Sequence, residues 1–262
     1  MRFIDTHAHL NLPEFKKDLS EVVERARLSG IIKCIVVGID KKTGIKALEV
    51  KRAFPDFVEI ALGFHPHEVK KLTEEDYLWL ERELEQAVAL GEVGLDWVKE
   101  YSPKELQISH LERLLELARR YRKPVILHLR GDLPFWDLAF DLLKAHQDLP
   151  LLFHCFTSEK EVAFKALDFN SMISLPGVIT FDKAKTLQEA VKFIPLERLV
   201  LETDCPYLAP TPMRGKRNEP AFLRYTALKL AEIKGMSLKE VAHITTQNAI
   251  KFFNLQPPIL DF

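Results

Sequence analysis

Six side chains able to ligate a metal ion, His7, His9, Glu92, His128, His154 and Asp204, fall at or near the ends of short apolar runs. His7 and His9 stand two apart, a spacing that on an extended strand sends both to one face, where together they can grip an ion. Asp5 shares that face, one step deeper. Glu92 lies inside the apolar run Gly91–Leu95, where a buried charge is costly unless a cation or hydrogen bonds compensate, and a bridging carboxylate would account for it. His128 ends Pro124–His128, His154 ends Leu151–His154, and Asp204 follows Leu199-Val200-Leu201-Glu202-Thr203. A lone strand-end histidine is more often a hydrogen-bonded structural residue than a ligand. The joint pattern is different: four imidazoles and two carboxylates exceed the about three or four protein ligands of one tetrahedral site, and so favour two divalent ions. The chemistry expected of such a set is hydrolysis by an activated water, with Asp204 as general base and Glu202, facing the same way two residues earlier, orienting a ligand.

Other polar residues near these positions are candidates for substrate contact. His65, in Gly63-Phe64-His65-Pro66-His67, follows a strand end, and Arg130 comes two residues after His128. The loop beyond the last strand carries Arg214, Lys216 and Arg217. Such a cluster is often only a solvated loop, but beside a metal-lined mouth Arg214 and Lys216 would supply a local phosphate-binding patch. His110, His146 and His243 fall within helical periodicity and read as surface or packing residues. Side-chain alternation sends Cys155 and Cys205 away from the ions if their strands continue, so both read as packing.

The elements that must bring these residues together alternate between strand and helix, the pattern of repeated βα units around a parallel sheet. Eight strand-like runs are expected: Arg2–His7, Ile32–Val37, Val58–Gly63, Gly91–Leu95, Pro124–His128, Leu151–His154, Ser171–Leu175 and Arg198–Thr203. Helical periodicity covers Leu19–Leu28, Glu74–Leu90, Glu105–Tyr121 and Phe135–His146, with two closing helices near Ala221–Lys234 and Leu238–Phe253. Ser237 with Glu240 resembles a capping box, and Gly235 stands where the preceding helix should stop. No G-x-G-x-x-G follows any strand, which argues against a doubly wound nucleotide-binding sheet. The expected fold is a TIM (β/α)8 barrel in a single domain, whose strand ends converge on one mouth.

Composition narrows the partners. With 37 basic and 38 acidic residues among 262 and a net charge of −1, no global field attracts a polyanion, so nucleic-acid binding has to be local. The opening residues contain no apolar signal region, and no run approaches the roughly 20 apolar residues of a membrane span. Three cysteines without C-x-x-C spacing argue against a disulfide framework or zinc ribbon. A cytoplasmic protein without a membrane partner or an obligate protein partner is expected.

Taken in order, Asp5-Thr6-His7-Ala8-His9-Leu10, Gly63-Phe64-His65-Pro66, Gly91-Glu92-Val93-Gly94-Leu95-Asp96, Pro124-Val125-Ile126-Leu127-His128-Leu129-Arg130, His154-Cys155-Phe156, Glu202-Thr203-Asp204 and Arg214-Gly215-Lys216-Arg217-Asn218-Glu219-Pro220 resemble TatD-type deoxyribonucleases of the amidohydrolase superfamily. The resemblance implies that His7, His9, Glu92 and Asp204 hold one ion, that Glu92, His128 and His154 hold another, and that Glu92 bridges them. It also implies magnesium-dependent 3′ to 5′ exonuclease activity on DNA, preferring single strands. Imidazole-rich ligands by themselves favour zinc, nickel or manganese. Phe156-Thr157-Ser158, Leu175-Pro176-Gly177 and Cys205 depart from the family's usual residues, which bears on the shape of the substrate groove but removes no ligand. Two rival substrates remain, an aminoacyl-tRNA ester and a small-molecule amide or ester. The second is disfavoured because Glu92 stands where many amidohydrolases carry a carbamylated lysine.

Overall fold

In the computed structural model, which describes residues 1–256, the expected runs form one parallel sheet of eight strands in chain order. The strands are β1 (Phe3–Ala8), β2 (Ile31–Gly38), β3 (Val58–Leu62), β4 (Ala89–Asp96), β5 (Val125–Arg130), β6 (Leu151–Phe153), β7 (Ser171–Leu175) and β8 (Leu199–Leu201). Ala8 meets Cys205, just past β8, in a parallel bridge that carries the last strand back to the first. The architecture is a TIM barrel.

The helices are α1 (Leu19–Leu28), α2 (Lys41–Ala53), α3 (Glu74–Glu83), α4 (Lys104–Tyr121), α5 (Leu133–Leu143), α6 (Lys160–Leu167), α7 (Lys185–Phe193), α8 (Leu223–Lys234) and α9 (Leu238–Phe253). The expected caps form. The Ser237 amide donates to Glu240 Oε2 at 2.9 Å, Ser237 Oγ accepts from the Glu240 amide at 3.2 Å, and Gly235 ends α8 with φ 62°. The largest boundary difference from the sequence expectation is at the end of α3. Helical spacing reads on from Glu74 to Leu90, whereas α3 stops at Glu83, a 3-10 turn covers Leu84–Gln86, and β4 begins at Ala89. Ala87-Val88-Ala89-Leu90 is apolar at every position, and spacing alone does not separate helix from strand there.

Two apolar layers hold the barrel. Outward-facing residues such as Val36, Ile60, Leu127, Phe153 and Leu201 pack against the helices. Inside, Ile4, Ile35, Val37, Ala61, Ala89, Ile126, Leu152 and Val200 form a plug with Ala249 and Phe253 of α9 and with Leu255. The plug fills the N-terminal half of the barrel and leaves the C-terminal mouth to polar residues. Among the described residues, no helix is long and apolar enough to cross a membrane.

Two irregularities aim side chains into the mouth. Pairing of β4 with β5 slips between Leu90 and Val93, both of which face the helices. Two residues, Gly91 and Glu92, lie between them, where strict alternation allows only an odd number, and the slip turns Glu92 inward. Pairing of β1 slips likewise between Asp5 and Ala8. Next to the first slip, Gly94 (φ 153°) pairs with His128 so closely that a Cβ would stand 1.9 Å from the His128 carbonyl oxygen. No side chain fits there without moving His128.

Candidate metal centre

The barrel mouth collects all six expected ligands. His7 and His9 come from the end of β1 and the residue after it, Glu92 from β4, His128 from β5, and His154 and Asp204 from just past β6 and β8. Glu92 is the hub and is almost fully buried. Its Oε2 faces His7 Nε2 at 3.3 Å and His9 Nε2 at 3.9 Å, and Asp204 Oδ1 adds 3.3 Å to His9 Nε2 and 3.8 Å to His7 Nε2. Its Oε1 faces the other way, 2.8 Å from His128 Nδ1 and 3.4 Å from His154 Nε2. One carboxylate thus divides its oxygens between two groups of nitrogens, as a bridge must.

Hydrogen bonds on the outer sides of the rings tell which nitrogen carries the proton. His9 Nδ1 donates to the Val37 carbonyl at 3.2 Å, His154 Nδ1 to Glu202 Oε2 at 3.1 Å, and His128 Nε2 to Asp96 Oδ2 at 3.2 Å. With the outer nitrogen as the donor, each ring in its neutral form would turn a lone pair inward, toward carboxylate oxygens that also offer only lone pairs. Such an arrangement is repulsive by itself and fits a divalent cation between the donors. His7 lies flat on His154, ring centroids 3.6 Å apart, and its buried Nδ1 has no hydrogen-bond partner among the described residues.

His65 behaves differently. Its Nδ1 accepts the His67 amide at 3.1 Å, so the proton sits on Nε2, which donates toward Glu92 Oε1 at 3.4 Å. Although its nitrogen is close enough to group with Glu92 and His128 as a ligand, the tautomer makes His65 an inward N–H donor. A donor at the mouth suits an anionic oxygen.

The electrostatics follow from burial set against these partners. Burial opposes ionisation of Glu92, but His154, His65 and His128 overcome it and hold its carboxyl well below the usual range. Asp204 is held low in the same way, chiefly through His9, against its own burial. Burial disfavours protonated His154, yet Glu202 and Glu92 pull its pKa well above the ordinary value, and His9 and His128 are raised similarly by their carboxylates. The site thus favours positive charge at its centre.

Residues behind the candidate ligands fix them. Glu202 accepts from His154 through Oε2 at 3.1 Å and from the Cys155 amide through Oε1 at 2.9 Å. Asp5 takes a different place from the one expected. The slip in β1 breaks the two-residue alternation, so Asp5 turns toward the segment after β8 and accepts from the Thr203 amide at 2.9 Å and its hydroxyl at 2.6 Å. It still supports the site, because its Oδ1 also accepts the His7 amide at 3.3 Å. Burial, only partly offset by these bonds, pushes its carboxyl up to about 7. Cys155 also departs from the expected packing role. β6 ends at Phe153 and Cys155 has φ 48°, so strand alternation no longer applies and the side chain joins the wall of the mouth. Cys205 is fully buried, as expected.

The mouth is a cavity of about 630 Å³ whose wall includes His65, His67, Lys99, Arg130 and Tyr207 beside the ligands. Arg130 was expected there; Lys99 was not. Arg214 and Lys216 are exposed and stand outside the lining, with the Arg214 guanidinium 4.1 Å over the ring of Phe181. Arg217 is engaged by Asp18 at 2.6 Å and the Glu14 carbonyl at 2.6 Å. Asp96 is a further residue that the sequence reading passed over. Its signal in the sequence is a carboxylate that closes the same apolar run whose interior holds Glu92.

Known proteins share the sequence and fold of this chain. The sequence model of the TatD related DNase family matches residues 4–254. YabD of Bacillus subtilis, an uncharacterized metal-dependent hydrolase, is 40% identical over 259 residues, covering 96% of this chain and 98% of that protein. YcfH of Escherichia coli, also an uncharacterized metal-dependent hydrolase, is 35% identical over 261 residues, covering 97% of each. The crystal structure of YjjV, a TatD homolog from Escherichia coli, superposes with a TM-score of 0.90 at 29% identity, covering 97% of this chain and 99% of that one. With its histidine and carboxylate clusters at the mouth of a TIM barrel, the chain belongs to the TatD-related DNase family of metal-dependent hydrolases.

Proposed function

We propose that the protein hydrolyses phosphodiester bonds of single-stranded DNA, removing nucleotides from the 3′ end, with two divalent ions held on either side of Glu92. The observation that carries this reading is the division of Glu92 between two nitrogen groups, each with lone pairs turned inward. His7, His9 and Asp204 would hold one ion, His128 and His154 the other, and Glu92 would serve both. Bound divalent ions supply Lewis acidity and make water a nucleophile near neutral pH.

The protein's own groups do the rest. Asp204, at the open wall of the mouth and kept ionised by its histidines, accepts the proton of the attacking water. His65 Nε2–H donates to a non-bridging oxygen of the phosphate, and Arg130 and Lys99 neutralise the neighbouring backbone. Arg214 and Lys216, outside the mouth, contact more distant phosphates. Magnesium, manganese and zinc are all compatible with this donor set.

The test is chelator-stripped protein incubated with end-labelled single-stranded DNA and magnesium, manganese or zinc in turn, beside an inactive Glu92→Ala, Asp204→Ala double variant. Stepwise shortening from the 3′ end by the native protein alone supports the reading. Intact DNA with every ion refutes the substrate, and aminoacyl-tRNA and small esters are then assayed in its place.

A further inference from the structure

Asp96 ends β4 fully buried, with both carboxylate oxygens engaged. Oδ1 accepts the amides of Val98 at 3.0 Å and Lys99 at 2.8 Å. Oδ2 accepts Nε2–H of His67 at 2.8 Å and of His128 at 3.2 Å. A carboxylate has about four acceptor sites, so Asp96 is saturated. The two oxygens serve different parts of the molecule. Oδ2 stands behind His128, whose Nδ1 lies 2.8 Å from Glu92. Oδ1 anchors the segment that brings Lys99 to the cavity wall and sets the Tyr101 ring edge-on to His67, centroids 4.7 Å apart. Gln107 of α4 fixes Asp96 in turn, accepting its amide at 2.8 Å and donating to the Ser102 carbonyl at 2.8 Å.

We propose that Asp96 is a positioning residue that couples the metal centre to the substrate rim, its Oδ2 fixing the proton of His128 on Nε2 and its Oδ1 holding the backbone of Lys99 over the mouth. The inference rests on the reading of His128 as a ligand. With the proton on Nε2, the Nδ1 lone pair points at the ion site. Backbone amides can only donate, whereas an imidazole can move its proton from one nitrogen to the other. In Asp96→Asn, therefore, the amide oxygen stays with Val98 and Lys99 and the NH2 group faces the imidazoles. Each imidazole must then accept at Nε2, which moves the His128 proton onto Nδ1 and removes the inward lone pair. Asp96→Ala removes both functions together.

The experiment compares native protein, Asp96→Asn, Asp96→Ala and His128→Ala in three measurements. They are manganese affinity by competition with a chelator, amide hydrogen exchange at residues 97–101, and KM on a single-stranded oligonucleotide at saturating manganese. Asp96→Asn is expected to lose about 10–100-fold in manganese affinity, the usual consequence of removing the partner of a ligating histidine, with exchange at Val98 and Lys99 unchanged. Asp96→Ala is expected to lose the affinity, to exchange faster at both amides, and to raise KM. A residue acting on stability alone would not separate these measurements between the two variants. If His128→Ala loses affinity while Asp96→Asn keeps it, the inference is overturned and the metal centre stands. If His128→Ala keeps native affinity, His128 is no ligand and the inference falls with that reading. Should Asp96→Ala fail to fold, the isosteric Asp96→Asn decides.

Discussion

Replacing Glu202 by Gln isolates the role of a buried carboxylate that touches no substrate. Glu202 accepts from His154 Nδ1 through Oε2 at 3.1 Å and from the Cys155 amide through Oε1 at 2.9 Å. In the variant the backbone amide, which can only donate, keeps the oxygen, and the NH2 group takes the Oε2 place opposite Nδ1. His154 must then place its proton on Nε2, toward Glu92 and the ion. The bond lost is charge-assisted, worth roughly 1.5–3 kcal/mol, and at about 1.4 kcal/mol per factor of ten this predicts a loss in metal affinity of about 10–100-fold. Titration calorimetry of stripped protein with manganese measures it. The effect should vanish in a His154→Ala background, because both changes remove the same ligand and cannot add. Unchanged affinity in Glu202→Gln, or full additivity with His154→Ala, would refute the argument that Glu202 acts through the tautomer of His154.

Three further outcomes are expected. Asp204→Asn should lower turnover by orders of magnitude with little change in oligonucleotide binding; near-native rates would remove it as the base. Arg130→Ala and Lys99→Ala should raise KM and reduce its dependence on salt, whereas Arg214→Ala and Lys216→Ala should do so less, being outside the mouth; steady-state assays at two ionic strengths would expose the reverse order. Away from the site, His110 donates from Nε2 to the Phe64 carbonyl at 3.1 Å and accepts the Tyr77 hydroxyl at 2.7 Å, and burial lowers its pKa from 6.5 to about 4. Between those values the unfolded chain binds the extra proton, so the group's contribution is intact above pH 6.5 and falls as the pH drops toward 4, by up to roughly 3 kcal/mol. Urea unfolding of native protein and His110→Gln across that range checks this, and parallel curves would contradict it.

Sequence spacing makes the barrel and the six candidate ligands at its mouth legible because both depend on periodicity and on strand ends. His128 and His154 follow clean apolar strands whose parity carries inward, and each could be placed by counting residues. Spacing missed what departs from the regular pleat. Spacing puts Asp5 on the ligand face because the slip in β1 leaves no mark in the residue types, and it assigns Cys155 to packing because a positive φ cannot be read from an apolar strand ending in histidine. Glu92 reaches the centre only through the slip in β4, although its charge within an apolar run flagged it. Long cationic side chains are the least legible. Arg214 and Lys216 clustered in sequence but stand outside the mouth, and Lys99, with nothing distinctive around it, reaches the cavity because Asp96 holds its backbone.

The claim on which everything else depends is that Glu92 stands between two ions. Anomalous diffraction at the manganese edge, from crystals of protein loaded with manganese, tests it directly. The account predicts two peaks, one beside His7, His9 and Asp204 and one beside His128 and His154, with a Glu92 oxygen at each. A single peak, or a second one lying away from Glu92, would contradict it.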